Sequence, residues 1–153
     1  MCRAAMCWSA EESMDRAAIV AEARNYIGTP FQHQARLKGI GVDCIGLVIG
    51  VAHTLGISEF DTVDYARQPD PAKMGAALDA HLDRVNLSDI RPGDILWLRM
   101  TREPMHVAIV TEIDPLRIVH ALSRAGLSRC VEQGVDDAWR RRIVACFRYR
   151  GPA

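Results

Sequence analysis

Apolar residues recur at helical intervals in the first half of the chain. Between residues 9 and 27 they line one side of a predicted helix. A nearly unbroken apolar run, Ile45 to Leu55, predicts a second helix that is buried on all sides. Asp70-Pro71 is typical of a helix start, because aspartate caps and proline fits the first turn. The inner face of that third helix is predicted to carry Met74, Leu78, Leu82 and Val85.

The second half of the chain changes to strand periodicity, with turn residues between short apolar segments. Helices followed by strands predict an α+β fold, in which a central buried helix packs on an antiparallel sheet of about five strands. Residues 1–8 are predicted to form a flexible arm, and residues 9–153 a single domain. The predicted strands are residues 95–98, 106–110, 117–120, 127–132 and 142–149.

Composition narrows the function classes. Nineteen basic and nineteen acidic side chains cancel, which argues against a nucleic-acid partner. The charged residues of the first thirty positions interrupt any signal-peptide or membrane-spanning run, so we expect synthesis in the cytoplasm without a signal peptide and no membrane insertion. Five cysteines, an odd number, are typical of reduced thiols. No cofactor is expected.

Cys44 is the strongest candidate for chemistry. It lies where a polar loop meets the buried helix, with Asp43 before it as a predicted N-cap. Unpaired N–H groups and the positive end of the helix dipole favour a thiolate there, and a neighbouring imidazolium favours it further. The sequence therefore predicts a nucleophilic cysteine with a lowered pKa. A small buried core residue is the alternative interpretation.

Two histidines, His106 and His120, lie on consecutive predicted strands. A three-residue loop at 113–115 would place Ala108 opposite His120 and bring both imidazoles to one face, whereas a two-residue loop would separate them. Acyl transfer would then use Cys44 as nucleophile, His106 as base and His120 as the residue that orients His106. The oxyanion donors would be the Cys44 backbone N–H and a group of the preceding loop.

Another interpretation of these residues is a metal site formed by Cys44, His106, His120 and His33. Zinc accepts such ligands, but the sequence lacks the paired spacings that usually hold it. We therefore expect no bound metal. His33, in the loop before Cys44, is instead a candidate for lining the substrate cleft.

Five stretches resemble the NlpC-type cysteine peptidases, papain-like enzymes that cut peptide bridges in bacterial cell walls. The resemblance implies a papain-like NlpC-type fold, the catalytic set Cys44, His106 and His120, and cleavage of a peptidoglycan stem peptide between D-glutamate and the diamino acid. The stretches are Tyr26-Ile27-Gly28-Thr29-Pro30-Phe31, Gly41-Val42-Asp43-Cys44-Ile45-Gly46-Leu47-Val48, Arg91-Pro92-Gly93-Asp94-Ile95-Leu96, His106-Val107-Ala108-Ile109-Val110 and Ile118-Val119-His120-Ala121.

A subset of that family is similar in further detail: the stand-alone peptidases encoded among tail genes of phages and gene-transfer particles. The segments that carry this are Phe31-Gln32-His33-Gln34, the nucleophile motif and Trp139-Arg140-Arg141-Arg142-Ile143-Val144-Ala145. This resemblance implies a component of a phage-like tail tip, with tail-hub or tail-tip proteins as partners, that opens the target cell wall. A catalytically inactive wall-binding or tail-assembly module is the alternative.

Two positions depart from the family pattern. Ile45 stands where a serine commonly helps the aspartate, here Asp43, to bind a free amino end of the stem peptide. Phe31 stands where the family has a tyrosine whose hydroxyl lies near the nucleophile. We therefore expect Asp43, His33 and Phe31 to line the substrate site, without a strict requirement for a free amino end.

Overall fold

A computed structural model describes residues 10–151 of the chain. The predicted arm, residues 1–8, lies outside these residues. The described residues contain four α-helices: α1 (Ala10–Asn25), α2 (Cys44–Thr54), α3 (Pro71–His81) and the short α4 (Asp137–Arg140). None of the helices in the described part of the chain combines the length and the apolar character needed to cross a membrane.

Strands dominate the second half, and two short ones precede α2. The short pair is β1 (Arg36–Leu37) and β2 (Gly41–Val42). The main sheet is antiparallel throughout, with the order β3-β8-β4-β5-β6-β7. Its strands are β3 (Leu82–Val85), β4 (Ile95–Arg99), β5 (Pro104–Ile113), β6 (Leu116–Arg124), β7 (Leu127–Gly134) and β8 (Ile143–Tyr149).

The α+β fold class predicted from the sequence is confirmed, but the sheet has a sixth strand, β3. Leu82 and Val85 were predicted on the third helix, and this is wrong. The helix ends at His81, and Leu82 pairs with Tyr149 at the sheet edge. A spacing of three residues is helical, but in the observed strand it sends Leu82 and Val85 to opposite faces of the sheet, where each packs in a different apolar cluster.

Side chains on the two faces of the sheet form separate apolar clusters. On the face covered by α1, α2 and α3, Val107 and Val119 pack with Leu47 of α2, among others. The opposite face carries Ala108, Val110 and Ile118, with Trp139 of α4 packed against them. This two-sided burial explains why adjacent residues in the middle of β5 and β6, such as residues 107–110 and 118–119, are apolar without alternation.

Two glycines allow α2 to lie close to the elements that precede it. A Cβ atom on Gly46 would lie 1.9 Å from the carbonyl oxygen of Ala35, and one on Gly50 would lie 2.2 Å from the hydroxyl of Tyr26. Residues four apart share a helix face, so α2 presents a smooth face to the loop before it and to α1. This close packing fixes the start of α2, where Cys44 lies.

A buried carboxylate joins α1 to the sheet. Asp94, at the turn before β4, is fully buried and pairs with Arg148 of β8 at 2.8 Å and with Arg16 of α1 at 3.2 Å. It also accepts the backbone N–H of Arg91 at 2.8 Å. The predicted turn at Arg91-Pro92-Gly93-Asp94 is therefore held by its own aspartate and by two guanidinium groups.

Candidate active site

Cys44 is the first residue of α2, and the local structure follows from the residue before it. Asp43 adopts an extended conformation and its carboxylate accepts the N–H of Gly46 at 2.7 Å, which makes it the N-cap. The thiol is partly buried and lies within hydrogen-bonding reach of the backbone of Val107 in β5. The nucleophile candidate is therefore placed beside the strand that carries His106.

Burial raises the pKa of the Cys44 thiol to about 12. Backbone hydrogen bonds at Val107 and Ile45 favour the thiolate, but they do not offset the burial, and the Asp43 carboxylate opposes a second negative charge. The prediction of a lowered thiol pKa is wrong for the free protein, because it left out both burial and the charge of the N-cap.

A β-bulge decides which way the histidines face. The β5–β6 loop is the two-residue Asp114-Pro115, not the predicted three-residue loop. The register shifts between Val110 and Glu112, so Thr111 is an extra residue in β5. Ile109 is consequently opposite Val119, and Ala108 falls opposite His120 as expected. The loop prediction is wrong, and the bulge supplies the odd residue that the loop lacks.

The two imidazoles are in direct contact. Nε2 of His106 lies 2.8 Å from Nδ1 of His120, and the rings meet edge to face with centroids 5.1 Å apart. Burial lowers the pKa of His106 to about 3, and the neighbouring His120 lowers it further. Burial also lowers the pKa of His120 to about 4. Both rings are therefore neutral at physiological pH.

Gln133 completes the row on the next strand, β7. Its carboxamide oxygen lies 2.8 Å from Nε2 of His120, so that nitrogen carries the hydrogen. Nδ1 of His120 must then accept, which places a hydrogen on Nε2 of His106. Nδ1 of His106 is left with a free lone pair, the form that a general base needs. Trp139 packs edge-on against His120, with ring centroids 5.5 Å apart.

Of the three residues predicted to line the substrate site, Asp43 precedes the nucleophile, and His33 and Phe31 lie in the loop before it. His33 Nδ1 lies 3.8 Å from a carboxylate oxygen of Asp43. Phe31 pairs through its backbone with Val42 and packs against the same core cluster as Cys44. Asp43 is 3% exposed, so its carboxylate presents little surface to a ligand.

A segment without helix or strand, residues 58–70, crosses over this region; we call it the strap. Tyr65 of the strap donates its hydroxyl to both oxygens of Asp43, at 2.9 and 3.1 Å. Two backbone carbonyls of the strap, of Val63 and Tyr65, accept from the Gln34 side chain at 2.7 and 2.9 Å. The strap is thus attached to the loop that precedes the nucleophile.

A cavity of about 760 Å³ lies between α2 and α3 beneath the strap. Ile45 and Val107, the residues that flank the thiol, are part of its lining, as is Tyr65. Such a volume is typical of small-molecule sites. Two neighbours of the thiol line the cavity, although Cys44 itself does not. Its floor consists largely of apolar side chains, including Val48, Ile49, Met74 and Leu78.

Within the described residues, no group of three or more histidine, cysteine, aspartate or glutamate side chains has an arrangement that could hold a metal ion. The nitrogens by which His106 and His120 approach each other are engaged in their mutual hydrogen bond. The arrangement therefore suits proton transfer between side chains.

Solved structures with the same architecture include the NlpC/p60 domain of the peptidoglycan hydrolase SagA (TM-score 0.59, 22% identity, 86% of this chain and 97% of that domain). An NLP/P60-family protein from Staphylococcus aureus, similar to a lipoprotein, matches with a TM-score of 0.63 and 19% identity over 99% of this chain. NlpC1 from Trichomonas vaginalis matches with 0.65 and 20% over 88%. The chain spans 46% and 44% of the latter two.

The chain has the NlpC/p60 fold. No family model matches the sequence and no curated protein matches it. The likeness to the NlpC/p60 structures therefore shows the architecture, and the chemistry of this NlpC/p60 fold has to be argued from its own side chains.

Sequence reasoning missed two residues of the candidate site, Gln133 and Tyr65. Gln133 follows a strand pattern that has no catalytic signature, and only the register of β7 against β6 brings it opposite Ile118, two residues before His120. Tyr65 lies in an irregular segment whose path cannot be inferred from periodicity. In the sequence, Gln133 is marked only as a polar residue on the strand that follows the strand of His120.

Proposed function

We propose that this protein is a cysteine endopeptidase that cuts the stem peptides of peptidoglycan. One observation carries the proposal: a hydrogen-bonded row of His106, His120 and Gln133 on the strands beside Cys44. Its support from comparison is the fold shared with the domain of a peptidoglycan hydrolase. The chemistry that suits a thiol next to an oriented neutral imidazole is acyl transfer.

In the acylation step the sulfur of Cys44 attacks the carbonyl carbon of the scissile peptide bond. The thiol proton moves to Nδ1 of His106 as the S–C bond forms. The backbone N–H of Cys44, at the start of α2, is positioned to stabilise the oxyanion. His106 then gives the proton to the leaving nitrogen, the C–N bond breaks, and a thioester remains on Cys44.

Deacylation repeats these roles with water. His106 takes a proton from water as its oxygen attacks the thioester carbon, and the C–S bond breaks. The proton returns to the sulfur, so the free enzyme is restored with a neutral thiol and a neutral imidazole. The raised pKa of Cys44 and the lowered pKa of His106 mean that proton transfer accompanies attack, rather than preceding it as an ion pair.

The bond that we propose is the one between D-glutamate and the diamino acid. It is supported by the resemblance of the five sequence stretches to NlpC-type peptidases. The decisive experiment is digestion of purified peptidoglycan by the wild-type protein, by Cys44→Ala and by Cys130→Ala, with mass spectrometry of the soluble products.

We expect identical new fragments from the wild type and from Cys130→Ala, whose altered cysteine is buried in β7 and is not a member of the hydrogen-bonded row. Cys44→Ala should release none. Fragments whose new termini are D-glutamate and the diamino acid would identify the bond. Release of the same fragments by Cys44→Ala would refute the cysteine mechanism.

We also propose that the protein is carried on the tail tip of a phage-like particle, with tail-hub or tail-tip proteins as partners. The support is the similarity of residues 31–34, of the nucleophile motif and of residues 139–145 to the peptidases of such tails. Particles purified from the organism that encodes the chain should contain it, and an antibody against it should label one end of the tail. Its absence from purified particles would contradict this proposal.

A second candidate function is an inactive wall-binding or assembly module. The observation in its favour is the raised pKa of Cys44, which leaves little thiolate in the free protein. A module of this kind would co-sediment with insoluble peptidoglycan equally well as wild type and as Cys44→Ala, and would release no fragments. Fragment release by the wild type would exclude it.

A further inference from the structure

The Asp43 carboxylate has almost no capacity left for a substrate. Oδ1 accepts the Gly46 N–H at 2.7 Å, and Oδ2 accepts the Gln34 N–H at 2.7 Å. The Tyr65 hydroxyl is shared between the two oxygens at 3.1 and 2.9 Å. A carboxylate offers roughly four acceptor positions, so these donors occupy most of them. The residue is also buried, with 3% of its surface exposed.

Tyr65 differs from the other donors because it is a side chain brought in by the strap. Arg36 holds it there, since the guanidinium donates to the Thr62 carbonyl at 3.1 Å and to the Tyr65 hydroxyl oxygen at 3.3 Å. A phenol that accepts from Arg36 directs its own hydrogen to Asp43. Burial and the Asp43 charge raise the pKa of Tyr65, so it stays a neutral donor.

A carboxylate next to a nucleophile is a ready partner for an ammonium group of a substrate. To reach Asp43, that ammonium would have to displace the Tyr65 hydroxyl, which is held by Arg36, itself paired with Asp61. The residue after the nucleophile, Ile45, offers no polar group to either species. Because His106 must face the leaving nitrogen, a group near Asp43 belongs to the acyl part of the peptide.

We propose that Tyr65, by capping Asp43, makes the protein selective for peptides whose acyl part has no free amino group beside the scissile bond. The preferred substrate is then an intact stem peptide that continues as an amide, not a fragment already trimmed to an amine. This inference rests on the peptidase function proposed above, and two experiments separate the failure of one from the failure of the other.

The first experiment compares two synthetic stem peptides of the same sequence, one with a free and one with an acetylated amino end adjoining the cleaved residue. Wild type should cleave the acetylated peptide with the higher kcat/KM. Tyr65→Phe, which keeps the ring and removes the hydroxyl, should shift the ratio about tenfold towards the free amine, a change equivalent to one modest polar interaction. Tyr149→Phe, which removes a hydroxyl from the Val48 carbonyl instead, should leave the ratio unchanged.

A tenfold preference of the wild type for the free amine would overturn the inference, as would an unchanged ratio in Tyr65→Phe. The second experiment needs no peptidase activity. It measures how fast Cys44 forms a mixed disulfide with 2-aminoethyl methanethiosulfonate and with the neutral methyl reagent, each reaction expelling methanesulfinate. The Cys44→Ala protein supplies the background from the other cysteines.

For the wild type, the ratio of the rate with the cationic reagent to the rate with the neutral reagent should be no higher than the same ratio for 2-mercaptoethanol, a small reference thiol. Tyr65→Phe should raise the cationic-to-neutral rate ratio about tenfold, and adding Asp43→Asn, which keeps an N-cap, should abolish the gain. An unchanged ratio in Tyr65→Phe would overturn the capping role. A shifted ratio in a protein that cuts neither peptide would refute the peptidase and leave the capping role standing.

Discussion

Nε2 of His106 lies 2.8 Å from Nδ1 of His120, and the second nitrogen of His120 lies 2.8 Å from the Gln133 oxygen. The amide oxygen at the end of the row can only accept a hydrogen bond. It therefore determines which nitrogen of each imidazole carries a hydrogen. A residue on β7, two strands away from the β5 strand that carries His106, thereby determines which tautomer His106 adopts.

Gln133→Leu should lower kcat on peptidoglycan fragments by roughly 10- to 100-fold, the usual cost of losing a residue that orients a catalytic group. Gln133→Glu keeps an acceptor oxygen and should retain more of the activity. The measurement is kcat together with ¹⁵N chemical shifts of the imidazoles, which report the tautomer directly. Equal kcat for wild type and Gln133→Leu would contradict the orienting role.

Alkylation of Cys44 should be slow in the free protein, because burial raises its pKa to about 12. We expect iodoacetamide to modify it at least about tenfold more slowly at pH 7 than it modifies free cysteine, whose thiol pKa is near 8.5. The rate should climb between pH 7 and 10 without levelling. Mass spectrometry of the peptide containing Cys44 distinguishes it from Cys130 and Cys146. A plateau below pH 8 would show a thiolate instead.

Stability should fall as the pH is lowered through the range of the buried histidines. The pKa values of His106 and His120 in the folded protein are about 3 and about 4, below the ordinary value of about 6.5. The unfolded chain therefore binds protons that the folded chain excludes, and the stabilisation present above pH 6.5 is lost towards pH 4. Each histidine contributes up to about 1.4 kcal/mol per pH unit.

The test is the free energy of unfolding in urea at pH 7, 6 and 5 for wild type and His120→Asn. The variant lacks one of the titrating groups. Its free energy of unfolding should therefore change less steeply with pH, by up to about 1.4 kcal/mol per pH unit. Identical slopes would mean that other groups cause the acid sensitivity.

The buried carboxylate of Asp94 offers a prediction about stability alone. Asp94→Asn removes the buried charge that Arg16 and Arg148 share, while Arg148 keeps its ion pair with Asp89 at 3.7 Å, and should cost about 3 kcal/mol. Asp83→Asn is the matched control, because Asp83 pairs with Arg150 at the surface and its loss should cost about 1 kcal/mol or less. Urea unfolding measures both changes, and equal losses would contradict the role assigned to burial.

The glycine face of α2 can be tested in the same way. Gly46→Ala forces a methyl group to 1.9 Å from the Ala35 carbonyl oxygen, and should cost about 1–3 kcal/mol or more. Gly134→Ala, at the end of β7, meets no atom within 4 Å and should be close to neutral. A neutral Gly46→Ala would mean that the loop before the nucleophile moves aside freely.

The sequence was sufficient for the elements whose pattern is local. The capping aspartate and the apolar run predicted α2, and short apolar segments between turn residues predicted five of the six strands of the main sheet. It was insufficient where two distant segments decide the outcome. Leu82 and Val85 have a helical spacing, yet pairing with β8 makes them a strand whose two ends pack in different apolar clusters.

The site shows the same division. Cys44, His106 and His120 could be proposed because each follows a recognisable local pattern. Tyr65 and Gln133 could not, since one depends on the path of the strap and the other on register. The direction of the thiol pKa also escaped prediction, because burial is a property of the whole fold and outweighs the local helix dipole.

The bulge at Thr111 has a consequence for protein engineering. The β5–β6 hairpin combines a two-residue loop with one extra strand residue. The extra residue shifts the register by one and so keeps both histidines on the same face of the sheet. A designer who grafts this hairpin into another scaffold must transfer both together. If the graft kept the loop but paired every residue of β5 without the bulge, the two imidazoles would lie on opposite faces of the sheet, although the amino-acid sequence would be unchanged.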